Sequence, residues 1–255
     1  AVLCMEGENT ALWTQCGSDT SYQLLDGQGP WRLVSVPNST SFALHDHRGD
    51  VTLFSPTLVP TPLDPLLAFC PTLHILPAEH EGTWQAIGLT SDGRLLAPHR
   101  VMAKDATSFT CTDHLLIWTT HSHEAMFVPL TCLTTTPQVS QLSRRVERGS
   151  RIVTAVPSAM SLVLQMPRGN LETTYPRPMV LDVIRDRLDR LAFGEALRVS
   201  RAHRVDLNLL HDHCPVAFLE RVPTILAQIH HVDHINLLLS KLRSDDVTQS
   251  LERPG

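Results

Sequence analysis

Five histidines and one cysteine lie in the last fifth of the chain, and two of the histidines are four residues apart, a spacing that metal-binding proteins use. Imidazole nitrogen and thiolate sulfur are preferred zinc ligands, and the candidates here are His211, His213, Cys214, His230, His231 and His234. His230 and His234 are four residues apart, so they would share one face of a predicted helix. Structural zinc sites usually take several thiolates, and only one cysteine lies nearby. We therefore interpret these histidines as helix-cap or surface residues and expect no metal ligands and no cofactor.

Signatures of common catalytic sites are missing from the sequence. It has no G-x-S-x-G of serine hydrolases, no G-x-x-x-x-G-K-[ST] of phosphate-binding loops, no H-E-x-x-H of metalloproteases and no G-x-G-x-x-G of dinucleotide sites. We therefore expect no catalytic residues and a protein that is not an enzyme. A small enzyme of unrecognised type stays open as a third alternative.

The densest group of basic residues is Arg144, Arg145, Arg148 and Arg151. A guanidinium group binds phosphate and carboxylate oxygens through two parallel hydrogen bonds. These arginines are therefore candidates for a contact with nucleic-acid phosphate or with an acidic partner surface. The alternative is that they form a solvated connector between two elements.

The charge distribution argues against a general nucleic-acid binder. The formal net charge is −5, with 8 basic and 14 acidic residues in 1–150 and with 13 and 12 in 151–255. Proteins that bind nucleic acid without help usually show a strongly positive stripe. We therefore do not expect this chain alone to bind RNA directly.

Other compositional features concern the cellular compartment. No segment approaches the roughly 18 apolar residues of a membrane span, and the first ten residues lack the features of a signal peptide. The six cysteines have no C-x-x-C spacing, which indicates reduced thiols in the cytosol or nucleus. Because an initiator methionine is missing, we expect the chain to be an internal piece or a truncated product of a longer protein.

These candidate residues must be positioned by two kinds of element, because the apolar period changes from two to about 3.6 between Arg144 and His213. Residues before Met166 form short apolar runs separated by Gly, Pro, Asn, Asp and Ser, which predicts strands and tight turns. The clearest hairpin joins 84–90 to 94–97 through Ser91-Asp92-Gly93. Short, evenly spaced strands are typical of propeller blades, and a β-sandwich stays open as the alternative.

Three further expectations concern this β region. At about 40 to 45 residues per blade, it would hold three or four blades. The proline-rich segment from Ser55 to Pro65 is predicted to be a long loop. His45, His47, His121 and His123 fall in predicted turns and edge strands, where we expect solvated side chains.

Residues after Pro178 show a helical pattern. Leu181, Ile184, Leu188 and Leu191 recur three to four residues apart. A first helix is predicted to begin after Pro176 or Pro178, a second near Gly194, and further short helices at Asp206, Pro215, Pro223 and Asp233. In the last helix, the predicted buried face comprises Ile235, Leu238, Leu239 and Leu242. Short helices joined by short turns favour an α-solenoid.

Three sequence blocks in this order resemble a known family. They are Gln165-Met166-Pro167-Arg168-Gly169-Asn170-Leu171-Glu172, His211-Asp212-His213-Cys214-Pro215, and the stretch from His234 through Ser240 to Asp245-Asp246-Val247-Thr248. Together they make the chain similar to the largest-subunit family of the Elongator complex, also called the IKAP family. The sequence differs from the family's usual pattern at Cys214 and Pro178, which bears on where the first helix begins.

The resemblance implies a β-then-α architecture. Residues 1–166 would be the C-terminal part of a WD40-type β-propeller, 167–178 a connector, and 179–255 the start of a TPR-like α-solenoid. It also implies a non-catalytic scaffold in a complex that modifies the wobble uridine of certain tRNAs. Partners would be the other Elongator subunits, including the catalytic one, with tRNA reached only through the complex and no membrane partner.

The resemblance further implies a cytoplasmic protein, with the nucleus as a second location, whose full-length form homodimerises through a region absent from this chain. A vesicle-coat or trafficking subunit is the alternative of a different class, because such proteins also place a propeller before a solenoid. The first of the three blocks favours the Elongator interpretation.

Overall fold

A computed structural model describes residues 31–37, 39–55, 59–78, 82–133 and 142–248, together with the backbone of 2–6, 9–16 and 19–25. Within these residues, strands give way to helices after Thr174. The chain divides into two compact units, residues 1–109 (unit 1) and residues 110–255 (unit 2).

The strands form five sheets, in each of which neighbouring strands follow one another in chain order. The first sheet contains β1 (Val2–Glu6), β2 (Asn9–Cys16) and β3 (Asp19–Leu25). The second contains β4 (Arg32–Ser35), β5 (Phe42–His45), β6 (Val51–Phe54) and β7 (Pro60–Pro62). The third contains β8 (Thr72–Pro77), β9 (Trp84–Leu89), β10 (Leu95–Ala97) and β11 (Arg100–Ala103).

The fourth sheet contains β12 (Ala106–Cys111), β13 (Leu115–Thr120), β14 (Glu124–Pro129) and β15 (Leu142–Arg145). The fifth contains β16 (Arg151–Val156), β17 (Ser161–Gln165) and β18 (Leu171–Thr174). Three of the five described sheets have four strands, as propeller blades do, and the other two have three strands. The expectation of three or four blades stays a prediction.

Tight turns in unit 1 follow the predicted chemistry. The hairpin between β9 and β10 closes with a 2.9 Å bond from the Thr90 amide to the Arg94 carbonyl, and Gly93 takes a φ of +85°. Between β5 and β6, the Asp46 carboxylate accepts bonds from the amides of the three residues Arg48 to Asp50. Both turns therefore use the Asp and Gly residues that the sequence offered for them.

The proline-rich segment is not entirely a loop. Pro60–Pro62 forms β7, which pairs with β6 at the edge of the second sheet. Proline lacks an amide proton but is tolerated on an edge strand, where no further strand requires that proton. Pro56 lies outside the described residues.

His45 does not have the solvated side chain that the sequence analysis expected. Its side chain is fully buried, and its Nε2 accepts a 2.8 Å bond from the amide of Cys70. Its Nδ1 lies 3.2 Å from the carbonyl oxygen of Asp50, and the ring stacks on Phe69. Because the loop that carries Cys70 covers β5, a polar residue at a strand end is buried there. His121, by contrast, is exposed as predicted.

In unit 2, the sheets and the first helix share an apolar core. β13 is buried at all six positions. One cluster combines Leu115, Ile117 and Phe127 of the fourth sheet with Leu162 and Leu164 of β17. Met179, in the first turn of the first helix, belongs to the same cluster. The segment in which strands give way to helices is therefore packed against the sheets and is not an exposed linker.

Six helices complete unit 2 within the described range. They are α1 (Arg177–Asp189), α2 (Phe193–Ala202), α3 (Leu209–Asp212), α4 (Pro215–Glu220), α5 (Val222–Gln228) and α6 (Val232–Lys241). The predicted start after Pro176 is confirmed, since α1 begins at the next residue. The predicted connector 167–178 instead contains strand β18 and the first turn of α1. None of the helices in the described ranges combines the length and apolar content needed to span a membrane.

Several predicted helix boundaries differ from the structure. Gly194 lies inside α2, and the break before that helix is at Leu191, where φ is +58°. A Cβ at position 194 would lie 2.7 Å from the backbone oxygen of Gln228. Glycine at this position therefore allows α2 and α5 to approach each other closely. α3 begins at Leu209, three residues after Asp206, whose Oδ1 accepts a 3.0 Å bond from the Asn208 amide. Asp233 lies inside α6, which begins at Val232 and has no side-chain cap bond. Leu239 is 59% exposed, and Leu237 packs against the helical core instead.

Candidate interaction site at the sheet–helix junction

A cavity of about 390 Å³ opens within unit 2, between the fourth sheet and α1. Its apolar wall is formed by Leu115, Phe127, Leu142 and Leu181. Its polar lining is mostly acidic and includes Asp113, His114, Asp182, Arg185, Asp186, Asp189 and His213. An apolar wall with a few polar groups at its rim is the usual composition of a binding pocket, in which the polar groups orient what is bound.

One polar contact spans this cavity. His114, just before β13, places Nδ1 3.1 Å from Oδ1 and 3.3 Å from Oδ2 of Asp182 on α1. Burial raises the pKa of the Asp182 carboxyl group, and the nearby His114 opposes that shift. The pair therefore joins sheet to helix at a half-exposed site, where an ion pair is weak.

At the rim of the same cavity, three potential metal ligands lie together. Asp189 ends α1, while His213 and Cys214 form the turn between α3 and α4. His213 Nε2 lies 2.7 Å from Asp189 Oδ1, and one donor atom from each of the three residues lies within 4.8 Å of the others. The sequence singled out His213 and Cys214 but not Asp189, because a carboxylate 24 residues away gives no local signal.

Three other histidines singled out in the sequence analysis lie away from this cavity. His230, His231 and His234 line a groove of about 730 Å³ between α2 and the α5–α6 link, together with Arg198 and Arg201. The helical pairing of His230 with His234 is wrong, because the extended backbone at Ile229 and His231 separates α5 from α6. His234 contacts Arg201. Burial, followed by the charge of Arg201, lowers the pKa of His234.

The four arginines follow one another along the chain from the end of β15 to the start of β16. Arg144 and Arg145 end β15, Arg148 lies in the turn that follows, and Arg151 begins β16. All four are exposed. Gly149, with a φ of +82°, shapes that turn. Arg144 and Arg145 are consecutive in β15 and so point to opposite faces of the sheet, and whether the four arginines contact a partner remains a prediction.

A buried network that the sequence analysis missed connects α3 to the segment after α6. The fully buried Asn208 donates from Nδ2 to Asp212 Oδ2 at 2.7 Å and to the Asp245 carbonyl at 2.9 Å. Its Oδ1 accepts from the Arg243 amide at 2.8 Å, and Asp212 also accepts from the Val247 amide at 2.9 Å. Two of the three recognised sequence blocks therefore bind each other, which gives their co-occurrence a structural reason.

The other block forms a turn. Gln165 to Glu172 joins β17 to β18, and Met166 donates its amide to the Asn170 carbonyl at 2.9 Å. Gly169 takes a φ of +88°, a conformation that favours glycine. All three blocks thus contribute to the structure of unit 2.

Comparison with known protein families gives two adjacent matches. A family model described as "ELP1 N-terminal second beta-propeller" matches residues 29–153, and one described as "ELP1 alpha-solenoid" matches residues 177–253. This order confirms the predicted propeller followed by a solenoid. Neither the β-sandwich nor the vesicle-coat alternative is favoured by these matches.

Individual relatives agree. Elongator complex protein 1 of Schizosaccharomyces pombe is 41% identical over 191 residues, which cover 71% of this chain and 15% of that protein. The Mus musculus protein of the same name is 44% identical over 178 residues, 66% of this chain and 13% of that protein. The Saccharomyces cerevisiae protein is 39% identical over 192 residues, with coverages of 70% and 14%. The chain thus spans about a seventh of the length of these curated relatives.

Proposed function

Because the chain belongs to the Elongator complex protein 1 family, we propose that it is a non-catalytic scaffold segment that joins a β-propeller to an α-solenoid. The observation that carries this proposal is the shared core of unit 2. Leu162 and Leu164 of β17 pack in one cluster with Met179 of α1. Segments joined by a flexible linker move independently by default, whereas a buried apolar contact holds their relative orientation.

The proposal extends to the assembly. The segment would position other Elongator subunits, including the catalytic one, and so support modification of the wobble uridine in certain tRNAs, with the chemistry on another subunit. The similarity to proteins named Elongator complex protein 1 supports membership of the complex. We further propose a cytoplasmic location with the nucleus as a second site, and homodimerisation of the full-length subunit through other segments.

The exposed arginines are the proposed contact surface. Arg144, Arg145, Arg148 and Arg151 project from adjacent strand ends and their connecting turn, all on unit 2. Exposed guanidinium groups can bind phosphate or an acidic protein surface without disturbing the core. Changing all four to glutamate would reverse the charge of this surface and leave the packed clusters intact.

The test uses cells in which the full-length subunit is replaced by variants. Leu164 is 1% exposed and Leu171 is 63% exposed, so Leu164→Asp and Leu171→Asp form a matched pair on the fifth sheet. We expect Leu164→Asp to reduce both wobble-uridine modification and recovery of the catalytic subunit, because it disrupts the shared core. Leu171→Asp should leave both unchanged. The measurements are mass spectrometry of tRNA nucleosides and of co-purifying subunits.

Two further variants complete the test. Changing the four arginines to glutamate should reduce wobble-uridine modification and recovery of the catalytic subunit. Arg168→Glu combined with Arg221→Glu, at two exposed arginines elsewhere on unit 2, should leave both unchanged. A form that lacks residues 165–242 should abolish modification while the catalytic subunit keeps an intact active site. Normal modification in cells that carry only this deleted form would contradict the scaffold proposal.

A further inference from the structure

We propose that Asp189, His213 and Cys214 form a zinc-binding site that links the end of α1 to the turn between α3 and α4. Their donor atoms lie within 4.8 Å of one another, and the closest pair, Asp189 Oδ1 and His213 Nε2, is separated by 2.7 Å. This site is distinct from the scaffold role, which rests on the sheet–helix core.

The ligand set matches zinc better than other common divalent ions. One carboxylate oxygen, one imidazole nitrogen and one thiolate sulfur are the three ligand types that zinc accepts, whereas Mg²⁺ and Ca²⁺ favour oxygen ligands. Cys214 is a free thiol and is only partly buried, so its sulfur is accessible. The combination of sulfur with nitrogen therefore points to zinc.

The required movement is small. Zinc bond lengths of about 2.0 Å to nitrogen or oxygen and about 2.3 Å to sulfur place neighbouring donors about 3.3 to 3.7 Å apart. Asp189 and His213 must therefore separate by about 1 Å or less, and the sulfur must approach by about 1.5 Å at most. Rotation of exposed side chains can provide this, because 62% of the Asp189 side chain is accessible to solvent.

The backbone that carries the three donors is held by packed residues. Leu188, next to Asp189, is 2% exposed, and Leu209, one turn before His213, is fully buried. Phe218, one turn after Cys214, belongs to the same helical core. The ends of α1, α3 and α4 are therefore fixed relative to one another within unit 2, and the site is largely preorganised.

Charge and proton balance also fit. The Asp189 carboxylate and the Cys214 thiolate would neutralise Zn²⁺, with His213 bound as neutral imidazole. The Cys214 S–H bond breaks as the S–Zn bond forms, and the proton passes to the buffer. A water molecule would complete the tetrahedron on the solvent side.

The first experiment uses Co²⁺ as a spectroscopic substitute for zinc on the 255-residue chain after treatment with a chelator. Thiolate bound to Co²⁺ gives a near-ultraviolet charge-transfer band, which carboxylate or histidine binding alone does not produce. We expect this band to saturate at one Co²⁺ per chain and to disappear when Zn²⁺ is added in equal amount. Elemental analysis of the chain loaded with zinc should then find one zinc.

Variants assign the ligands. Cys214→Ser should abolish the charge-transfer band, and His213→Ala and Asp189→Ala should each weaken Co²⁺ binding about 100-fold or more, since loss of outer-shell partners alone costs about 10- to 100-fold. Cys132→Ser and His230→Ala are the matched thiol and histidine controls and should bind as the unchanged chain does. Circular dichroism of each variant, recorded without metal, checks that the helices are retained.

Three results would overturn the proposal. One is the absence of the band at saturating Co²⁺, which would leave Asp189 and His213 as an ion pair only. Another is a band that persists in Cys214→Ser. The third is metal binding that is lost in His230→Ala but retained in His213→Ala, which would assign the ion to the groove histidines.

Discussion

The sheet region of unit 1 and the helical region of unit 2 each contain a fully buried polar side chain that connects distant parts of the chain. In unit 1, His45 binds the amide of Cys70, 25 residues away. In the helices, Asn208 binds backbone groups of Arg243 and Asp245, 35 and 37 residues away. The two side chains have the same structural role but different chemistry, because an imidazole titrates near neutral pH and an amide does not.

This difference determines how each of the two contacts responds to acid. His45 satisfies both of its partners only as the neutral tautomer that carries its proton on Nδ1, since Nε2 must accept from the Cys70 amide. Protonation of Nε2 would place its N–H group against the N–H group of the Cys70 amide. Asn208 offers its donors and acceptor at any pH. The two buried contacts therefore differ in their response to acid, because protonation of the ring opposes the bond from the Cys70 amide to His45, whereas the Asn208 amide does not titrate.

The largest expected effect is that of Asn208→Ala in the helical region. Removing the amide leaves the Asp245 carbonyl and the Arg243 amide without their buried partner. An unsatisfied buried group costs about 1 to 3 kcal/mol, so we expect a loss of about 3 kcal/mol in the free energy of unfolding. Urea denaturation, followed by hydrogen exchange in residues 205–248, measures this loss.

The control for that measurement is Asn236→Ala on α6, where the asparagine is exposed. It should change the free energy of unfolding by no more than about 0.5 kcal/mol. Equal effects from the two variants would show that the buried network does not hold the segment after α6.

A smaller effect is expected from His45→Leu in the sheet region at pH 7.5. Leucine keeps an apolar side chain of similar size but leaves the Cys70 amide without its acceptor. We expect a loss of about 2 kcal/mol, measured by hydrogen exchange in peptides of unit 1. His121→Leu, at an exposed position, should have little effect. If His45→Leu does not change the stability, water satisfies the Cys70 amide in its place.

The pH response of unit 1 makes the comparison sharper. Burial lowers the pKa of both His45 and His74 below the usual 6.5. Above pH 6.5 both histidines are neutral in either state, whereas below it the unfolded chain binds protons that the folded chain does not. Stability should therefore fall as the pH drops through 6.5 towards the lowered folded-state values, by about 1.4 kcal/mol for each full pKa unit of depression.

The comparison variant for this measurement is His45→Gln, which removes one of the two buried histidines. Its unfolding free energy should decline less steeply between pH 7 and pH 5 than that of the unchanged chain. The same slope in both proteins would show that His45 takes up its proton in the folded state at little cost.

The smallest expected effect is that of His114→Ala at the junction. His114 is 54% exposed and Asp182 is 24% exposed, so solvent screens their interaction. We expect thermal denaturation to show a loss below about 0.5 kcal/mol. A loss above 2 kcal/mol would mean that the ion pair, and not the apolar core around Met179, holds α1 against the sheet.

Local chemistry predicted the elements of this fold better than it predicted the site. Asp92-Gly93 and Pro176 marked a turn and a helix start because their backbone preferences act over a few residues. The burial of His45 depends on a loop 25 residues away, and the position of Asp189 beside His213 depends on how three helices pack. Such contacts cannot be obtained from spacing, since no local pattern encodes them.

The same limit explains the error at His230 and His234. A spacing of four places two side chains on one face only if the helix is continuous. Here the β-branched Ile229 and the extended His231 interrupt it. The change from strands to helices followed from periodicity, whereas the grouping of titratable side chains depends on how the helices pack.

The close approach of α2 and α5 at Gly194 has an evolutionary consequence. A single added carbon would lie 2.7 Å from the Gln228 backbone oxygen, and the Gln228 side chain already bonds the Gly194 amide at 2.9 Å. Even substitution by alanine at Gly194 would therefore force the two helices apart, whereas the exposed Arg198 can be replaced without such a clash. We expect divergent descendants of this sequence to keep glycine here even where the surrounding helix surface has been replaced.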